Sequence, residues 1–460
     1  MTATLTDATE VLCGACSTNS LYTTGVLTVI MKNGNSVYTE VNKLTTNGDA
    51  TVNSITGPNG GILYFINEYS STVDAKFTLI GPGNNWQPQV ITLTKLKNVY
   101  GLVQTATHII CIDYDNARVV KVNKTGWVEE AWYDFVPEAG NQGFGVGICT
   151  LGNYVMAVFI EADNPWTTAN YASSKAVVLN PGVSGATLPV VQVRVGQEFK
   201  SQINVGKNAT SLIPFTDPQG KVHVFVPCIG GKQKTNEGNA TESHLDEITV
   251  TANPATGQLS ATVATRLVGS NDPADTTSLD IRHIAFKEDG TAAYVMVANV
   301  YAYNIETYKT QMVWKVYQTT FSNLETLTNA LPSSLGTAVL SSVGYDEGFL
   351  WDIVYDNGHD WLWMGHGDSI HIYNRGVGAS WTPIHVFPQV DENDPTHSLN
   401  ISANADGNLN SYDVTAESLR AFMSMILRGV QPHGLSSDSP QWRAHVRREM
   451  ENAKPGNKGK

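Results

Sequence analysis

The sequence predicts an all-β protein built from repeated four-stranded sheets, with a helical tail. Three observations carry this reading. A pair of short β-like runs joined by a tight turn recurs seven times, each pair before the last is followed by a second such pair, and the final 46 residues change composition and periodicity.

The recurring pairs lie at 52–66, 100–111, 145–159, 211–225, 281–296, 350–363 and 399–414, turning near residues 59, 105, 151, 219, 289, 357 and 406. Several turns hold Asn-Gly, Gly-Asn or Asp-Gly, as in Asn59-Gly60, Gly152-Asn153, Asp289-Gly290, Asn357-Gly358 and Asp406-Gly407. These dipeptides supply the positive φ that tight hairpins need. The second pairs are exemplified by Arg118–Trp132 and Glu247–Val263. Two hairpins per repeat make a four-stranded sheet, and repeats of about 45 residues or more are the mark of a β-propeller, whose radial packing leaves only short edges exposed.

The ends fit the same plan. The last inner pair, 399–414, lacks an outer pair, whereas an outer-type pair without an inner one, Gly25–Val41, stands near the start. Joining them completes a seventh sheet from both termini and removes a free edge. The expected organisation is an N-terminal extension over 1–24, a seven-bladed β-propeller closed by N- and C-terminal strands over 25–414, and a basic α-helical C-terminal appendage over 415–460. Over 25–414 the sequence resembles the NHL, YncE-like and lactonase-like propellers, through turns such as Tyr355-Asp-Asn-Gly-His-Asp-Trp-Leu-Trp363 and Phe286-Lys-Glu-Asp-Gly-Thr-Ala-Ala-Tyr-Val295. The resemblance is architectural. Neither a WD dipeptide nor a kelch di-glycine stands in register, so no subfamily activity follows from it.

Turn-to-turn spacings of about 46, 46, 68, 70, 68 and 49 residues show insertions in the third to fifth repeats. Part of the extra length follows the second strand each time, at 160–172, 229–244 and 298–308. In a propeller these connections share one face, where binding residues concentrate. They carry Trp166, Tyr171, Tyr301, Tyr303 and Tyr308 interleaved with Asn164, Asn170, Asn236, Asn239 and Asn304. Flat apolar faces mixed with amides suit a sugar or a protein partner, and the same aromatics would equally pack on their own blade.

Composition narrows the function classes. The chain has 460 residues, 42% hydrophobic and 15% charged, with a net charge of −13. A polyanionic partner would be repelled, so the propeller is expected to bind no nucleic acid. No window approaches eighteen apolar residues, which excludes a membrane-spanning helix. The start, Met1–Glu10, has neither a basic nor an apolar signal region, so the expected location is a virion or the cytoplasm, or outside the cell if a leader was removed. Cys13-Gly-Ala-Cys16 is a CxxC, the spacing of a redox pair or half a metal site, but it stands alone and a structural role is favoured. Cys111, Cys149 and Cys228 lie in apolar runs and read as buried thiols.

Metal and catalytic patterns are sparse. His359, His366 and His371 cluster, but three ligands must converge, and on a strand His359 and His366 face opposite ways. Asn404, Asp406, Asn408 and Asp413, with Gly407 at the turn, resemble a calcium loop of EF-hand or dockerin type; the pattern departs from it at Ser402 and Asp413, and the hairpin reading is favoured. Gly-x-Ser-x-Gly, His-Glu-x-x-His and phosphate-loop motifs are missing. Lactonase-like propellers place acids and histidines at the central opening, which would point to His108, His283 and Asp352. No catalytic residue and no cofactor is expected, calcium being the one candidate cation.

The tail holds eight Lys/Arg against four Asp/Glu, so residues 1–414 carry a net charge of −17. Leu419, Phe422, Met423, Ile426 and Leu427 describe an amphipathic helix, and Trp442, Val446 and Met450, beside Arg443, Arg447 and Arg448, a second. A closed ring has no interior for these stripes, so they must cover a propeller face or bind another chain. The expectation is a non-catalytic interaction or structural module in a larger assembly, concretely a virion protein of a phage tail or capsid, with other chains or copies of itself as partners through the tail. The alternatives are a secreted carbohydrate- or protein-binding propeller and a lactonase-like hydrolase.

Overall fold

The structure, a computed structural model, describes residues 10–17, 25–32, 39–46, 49–70, 73–80, 82–84, 87–162, 171–230, 242–269, 280–304, 309–341, 350–357, 360–366, 369–375, 381–387 and 398–404. It is almost entirely β, arranged mostly in four-stranded antiparallel sheets as in a propeller.

Three strands open the chain: β1 (Glu10–Ser17), β2 (Gly25–Lys32) and β3 (Thr39–Thr46). Sheet one is β4 (Asp49–Thr56), β5 (Ile62–Ser70), β6 (Val73–Ile80) and β7 (Gln89–Ile91), and sheet two is β8 (Val99–Gln104), β9 (His108–Asp113), β10 (Arg118–Asn123) and β11 (Val128–Asp134). Sheet three begins with β12 (Gln142–Leu151), β13 (Tyr154–Ala162) and β14 (Ser173–Leu179). The chain then forms a small hairpin, β15 (Val193–Val195) and β16 (Glu198–Lys200), before β17 (Ile203–Lys207) returns to close sheet three. Sheet four is β18 (Ile213–Thr216), β19 (Val222–Cys228), β20 (His244–Ala252) and β21 (Leu259–Val268), extended by β15 and β16 to six strands. Sheet five is β22 (Asp280–Phe286), β23 (Ala293–Asn304), β24 (Lys309–Thr319) and β25 (Ala338–Ser341), with the short helix α1 (Phe321–Thr326) before β25. Sheet six is β26 (Leu350–Asp356), β27 (Trp361–His366), β28 (Ser369–Arg375) and β29 (Trp381–Phe387). The last strand, β30 (Ser398–Asn404), lies beside β1 in the order β3-β2-β1-β30.

First strands of successive sheets touch: β4 with β8, β8 with β12, β12 with β18, β18 with β22 and β22 with β26, while β30 touches both β27 and β4. Burial follows that arrangement. The inner strand β9 is buried at all but its first residue, whereas β11, outermost in the same sheet, is largely open. Apolar side chains between sheets fuse into common cores, one joining sheets two to four and another joining sheets four and five with α1. Cys149 and Cys228 are buried thiols within the first of these and Cys111 is buried in a further core between sheets one and two, and burial pushes the Cys149 thiol up to about 12.

The structure departs from the sequence reading in three places. The sheet shared by the termini takes three strands from the N-terminal part and one from the C-terminal part, where two and two were expected. Glu10–Ser17, which carries Cys13 and Cys16 and was assigned to an extension, is the strand seated between β2 and β30; the expected second strand, 407–414, lies outside the described residues. Residues 298–304 are not loop but part of the hairpin β23–β24. Finally, much of the inserted length covers sheet edges. Ala186 and Leu188 bond the backbone of Trp132 on β11, and β15 and Ala330 run parallel to β21. Covering or blunting edge strands prevents their pairing with other chains, a use of inserted chain that periodicity does not reveal.

Candidate functional site

The densest polar cluster lies where α1 meets sheet four. Asp217 sits in the β18–β19 turn and accepts the N–H groups of Gln219 (2.9 Å) and Lys221 (2.8 Å), a geometry that Gly220 allows with φ of +81°. His223, next on β19, is fully buried, with Nδ1 2.6 Å from Glu247 Oε1 and Nε2 3.3 Å from Asp217 Oδ2. Glu247 on β20 also accepts the Thr249 hydroxyl (2.9 Å) and the Arg266 Nε–H from β21. Arg266 in turn donates to Leu327 O (3.2 Å), just past α1. Phe321 of α1 sets its ring edge-on to His223 at 4.7 Å, inside a cluster with Phe215, Phe225 and Phe286. Burial pushes the Glu247 carboxyl up, but the hydrogen bonds from His223, Arg266 and Thr249 and the Arg266 charge outweigh it and hold the group down at about 2. Asp217 is held low in the same way, the Lys221, His223 and Gln219 donors overcoming desolvation.

His223, Glu247 and Glu325 of α1 each place a ligand-type atom within 4.8 Å of the others, a composition that suits a divalent cation. The hydrogen bonds argue for a different role. Glu247 Oε1 already receives two donors and Oε2 the guanidinium, and both His223 nitrogens face carboxylates. Asp217, Glu247 and Glu325 are matched by His223, Arg266 and Lys221, whose Nζ is 3.9 Å from Glu325. Side-chain exposures of 0% for His223 and 1% for Glu247 leave no face for a substrate. The cluster is a buried ionic pin joining a turn, three strands and α1.

Two further charged groups are buried outside this cluster. Asp113, fully buried at the end of β9, accepts Lys97 N (2.5 Å) and both Asn116 N and Nδ2 (3.1 Å each), anchoring the link between sheets one and two. Desolvation pushes its carboxyl up to about 6 against these donors. Arg282 sits at a register shift in β22 and donates to Asp280 at 2.8 Å; burial lowers its pKa, and Asp280 opposes that.

Of the residues singled out in the sequence, Trp166, Asn170, Asn236, Asn239 and Tyr308 lie outside the described residues. Tyr171 does not offer its ring to a partner: at 3% exposure it bridges to Ala162 and belongs to the core of sheets two to four. Tyr301 and Tyr303 lie on β23, Tyr303 opposite Thr310 and Tyr301 at a register shift. Asn404 is a strand residue opposite Val11, and Asp406, Asn408 and Asp413 lie outside the described residues. His371 stands opposite Met364, two positions from His366, so these two share a face of sheet six, while His359 is outside. His108 is not at a central opening; its ring bonds Glu130 (2.9 Å) on the outermost strand and Thr107 (2.8 Å). His283 is buried in β22, and Asp352 is a residue of β26. The tail residues Leu419, Phe422, Met423, Ile426, Leu427, Trp442, Arg443, Arg447 and Arg448 lie outside the described residues. The ionic pin escaped sequence reading because His223 and Glu247 meet only through the β19–β20 register, in which Phe225 opposes Glu247; the one signal was a lone His in the apolar run Val222–Val226.

No protein-family profile matches the chain, and no curated protein matches it. Among solved structures it is similar to a candidate 6-phosphogluconolactonase from Bacteroides fragilis (12% identity, TM-score 0.49, covering 87% of this chain and 99% of that one). It is also similar to the β-propeller domain of Cps50 (Swd1) from Myceliophteria thermophila (12%, 0.41, 76% and 92%) and to apo AztD from Citrobacter koseri (9%, 0.39, 86% and 99%). The likeness is to propeller-type folds in general and favours no single group among them.

Proposed function

We propose that the chain is one seven-bladed β-propeller, closed by β1 pairing with β30, and that it serves without catalysis as an interaction or structural module of a larger assembly. Closure is supported by β30, which touches β27 on one side and β4 on the other and pairs with β1 from Val11 to Ser17. The observation that carries the functional reading is that β13, β19 and β23, which precede the sequence insertions, are the second strands of three consecutive sheets, so that in a ring their ends would share one face of a rigid scaffold. The low charge content and the abundance of Thr, Asn and Gly favour, among assemblies, a virion component of a phage tail or capsid.

The test is truncation. A chain ending at residue 414 is expected to fold but no longer associate, and association at wild-type strength overturns the role given to the tail. Retention on a glycan array that Trp166→Ala abolishes would instead favour the carbohydrate-binding alternative. Deleting residues 1–24, and with them β1, is expected to lower the urea midpoint and broaden the transition; an unchanged transition excludes closure through β1.

A further inference from the structure

We infer that β16 is a self-association edge, on which two copies of this chain pair antiparallel about Phe199. Sheet four ends in β16, in the order β16-β15-β21-β20-β19-β18, and residues 171–230 around it are described without a break. The hairpin that covers β21 therefore has an outer edge of its own, and no described strand pairs with it. Glu198, Phe199 and Lys200 are all exposed, Phe199 at 58%. The register fixes what this edge offers. β15 and β16 join through the two-residue loop Gly196-Gln197, with Gly196 at φ +64°, and pair Val195 with Glu198, Arg194 with Phe199 and Val193 with Lys200. A two-residue loop closes on a hydrogen-bonded pair, and bonded and non-bonded pairs then alternate. Val195–Glu198 and Val193–Lys200 are thus the bonded pairs, and the N–H and C=O of Phe199 point away from β15 to the open edge.

The side chains choose the occupant. Glu198 and Lys200 share one face of the strand, Lys200 Nζ lying 3.1 Å from the Glu198 carboxylate. Against a foreign strand these two charges guard the edge, as charged residues on short edge strands do. Against a second copy they do the opposite. A two-fold axis through the paired Phe199 residues lets the two exchange both backbone bonds and sets each Glu198 opposite the partner's Lys200, in the non-bonded pairs where side chains approach closest. Opposite charges facing across strands attract and like charges repel, so Glu-Phe-Lys is complementary to its own antiparallel copy, and the charges that exclude other chains select this one. On the other face Phe199 meets the partner's Phe199, and the two six-stranded sheets become continuous. The contact is small, three residues a side, which makes the dimer weak and concentration-dependent.

The experiment is sedimentation velocity on the full chain across concentrations, with charge reversals on the exposed edge. The wild type is expected to pass from monomer to dimer as concentration rises. Glu198→Lys and Lys200→Glu each set like charges opposite one another and should each weaken dimerisation about tenfold, with an unchanged melting temperature. Mixing the two variants restores Lys opposite Glu at both positions and should return association to wild-type strength. A wild type that stays monomeric, a single reversal that dimerises as the wild type does, or a mixture that stays as weak as its components overturns the inference. So does self-association lost on truncation at residue 414 but kept by both reversals, since the contact then belongs to the tail; the two proposals therefore fail separately.

Discussion

Replacing Glu247 by Gln removes the one carboxylate that satisfies His223, Thr249 and Arg266 together. Its amide keeps the shape but loses the charge facing a guanidinium that is largely out of water, and it turns a donor toward groups that are themselves donors. Breaking a buried ion pair from one side costs about 3–5 kcal/mol, and Glu247→Gln should fall in that range at pH 7. The pH dependence gives a second, independent reading. The Glu247 carboxyl is lowered from an ordinary 4.5 to about 2, so its contribution is fully present above pH 4.5 and is lost as the pH falls toward 2. That lowering corresponds to roughly 3 kcal/mol, and to about 2 kcal/mol once water reaching the cluster is allowed for. Urea midpoints followed by tryptophan fluorescence between pH 2.5 and 7 measure both quantities. The wild type should lose its advantage over Glu247→Gln across that window, and replacing His223, Glu247 and Arg266 together by Leu, Leu and Met should recover more than half of the loss at pH 7. A cost below 1 kcal/mol at pH 7, or a difference independent of pH, refutes the account of the cluster as a structural pin.

Asp113→Asn tests the opposite sign. Because the carboxyl is raised from 3.8 to about 6, the fold favours its protonated form, and the group's contribution falls as the pH rises through that window. The stability of the wild type relative to the variant should therefore decline by roughly 3 kcal/mol from pH 4 to 7, as read from urea midpoints, and a flat difference contradicts it. Gly147→Ala would place a Cβ 2.8 Å from Leu212 N and 3.0 Å from Ser211 C, both backbone atoms that cannot swing aside, so a loss of about 1–3 kcal/mol is expected in the same assay. Cys111, Cys149 and Cys228 should resist a thiol reagent at pH 8 and react only above the urea midpoint; fast labelling of any of the three in the native protein, read by mass spectrometry, would show that its packing is looser than described.

The hairpins were legible because their turns announce themselves. Gly290 at φ +71° and Gly220 at φ +81° stand where the spacing placed turns, and alternation of apolar residues located the strands beside them. The order of strands within a sheet followed from hairpin connectivity. What was not legible depends on chain segments meeting at a distance. Nothing in Glu10–Ser17 marks it as the partner of Ser398–Asn404 rather than an extension, and nothing in 186–195 shows that it lies along β11 and β21. Tyr171 shows the limit for sites: an aromatic beside asparagines in an inserted loop has the composition of a binding residue, and only the Ala162 bridge reveals that it is core. The ionic pin is the same problem in reverse, four polar residues that look unrelated until two strand registers and one helix bring them together.

The excursion of β15 and β16 also has a consequence for biosynthesis. These strands leave the ribosome well before β21, whose Ser260 and Ala261 pair in parallel with Arg194 and Val195 of β15, yet β17 follows them at once and completes sheet three. A nascent chain that has just finished sheet three therefore carries an orphaned hairpin in wait for sheet four. Sheets three and four are thus coupled during synthesis, and a pause between residues 200 and 260 would be the interval in which that hairpin is open to mispairing or to a chaperone.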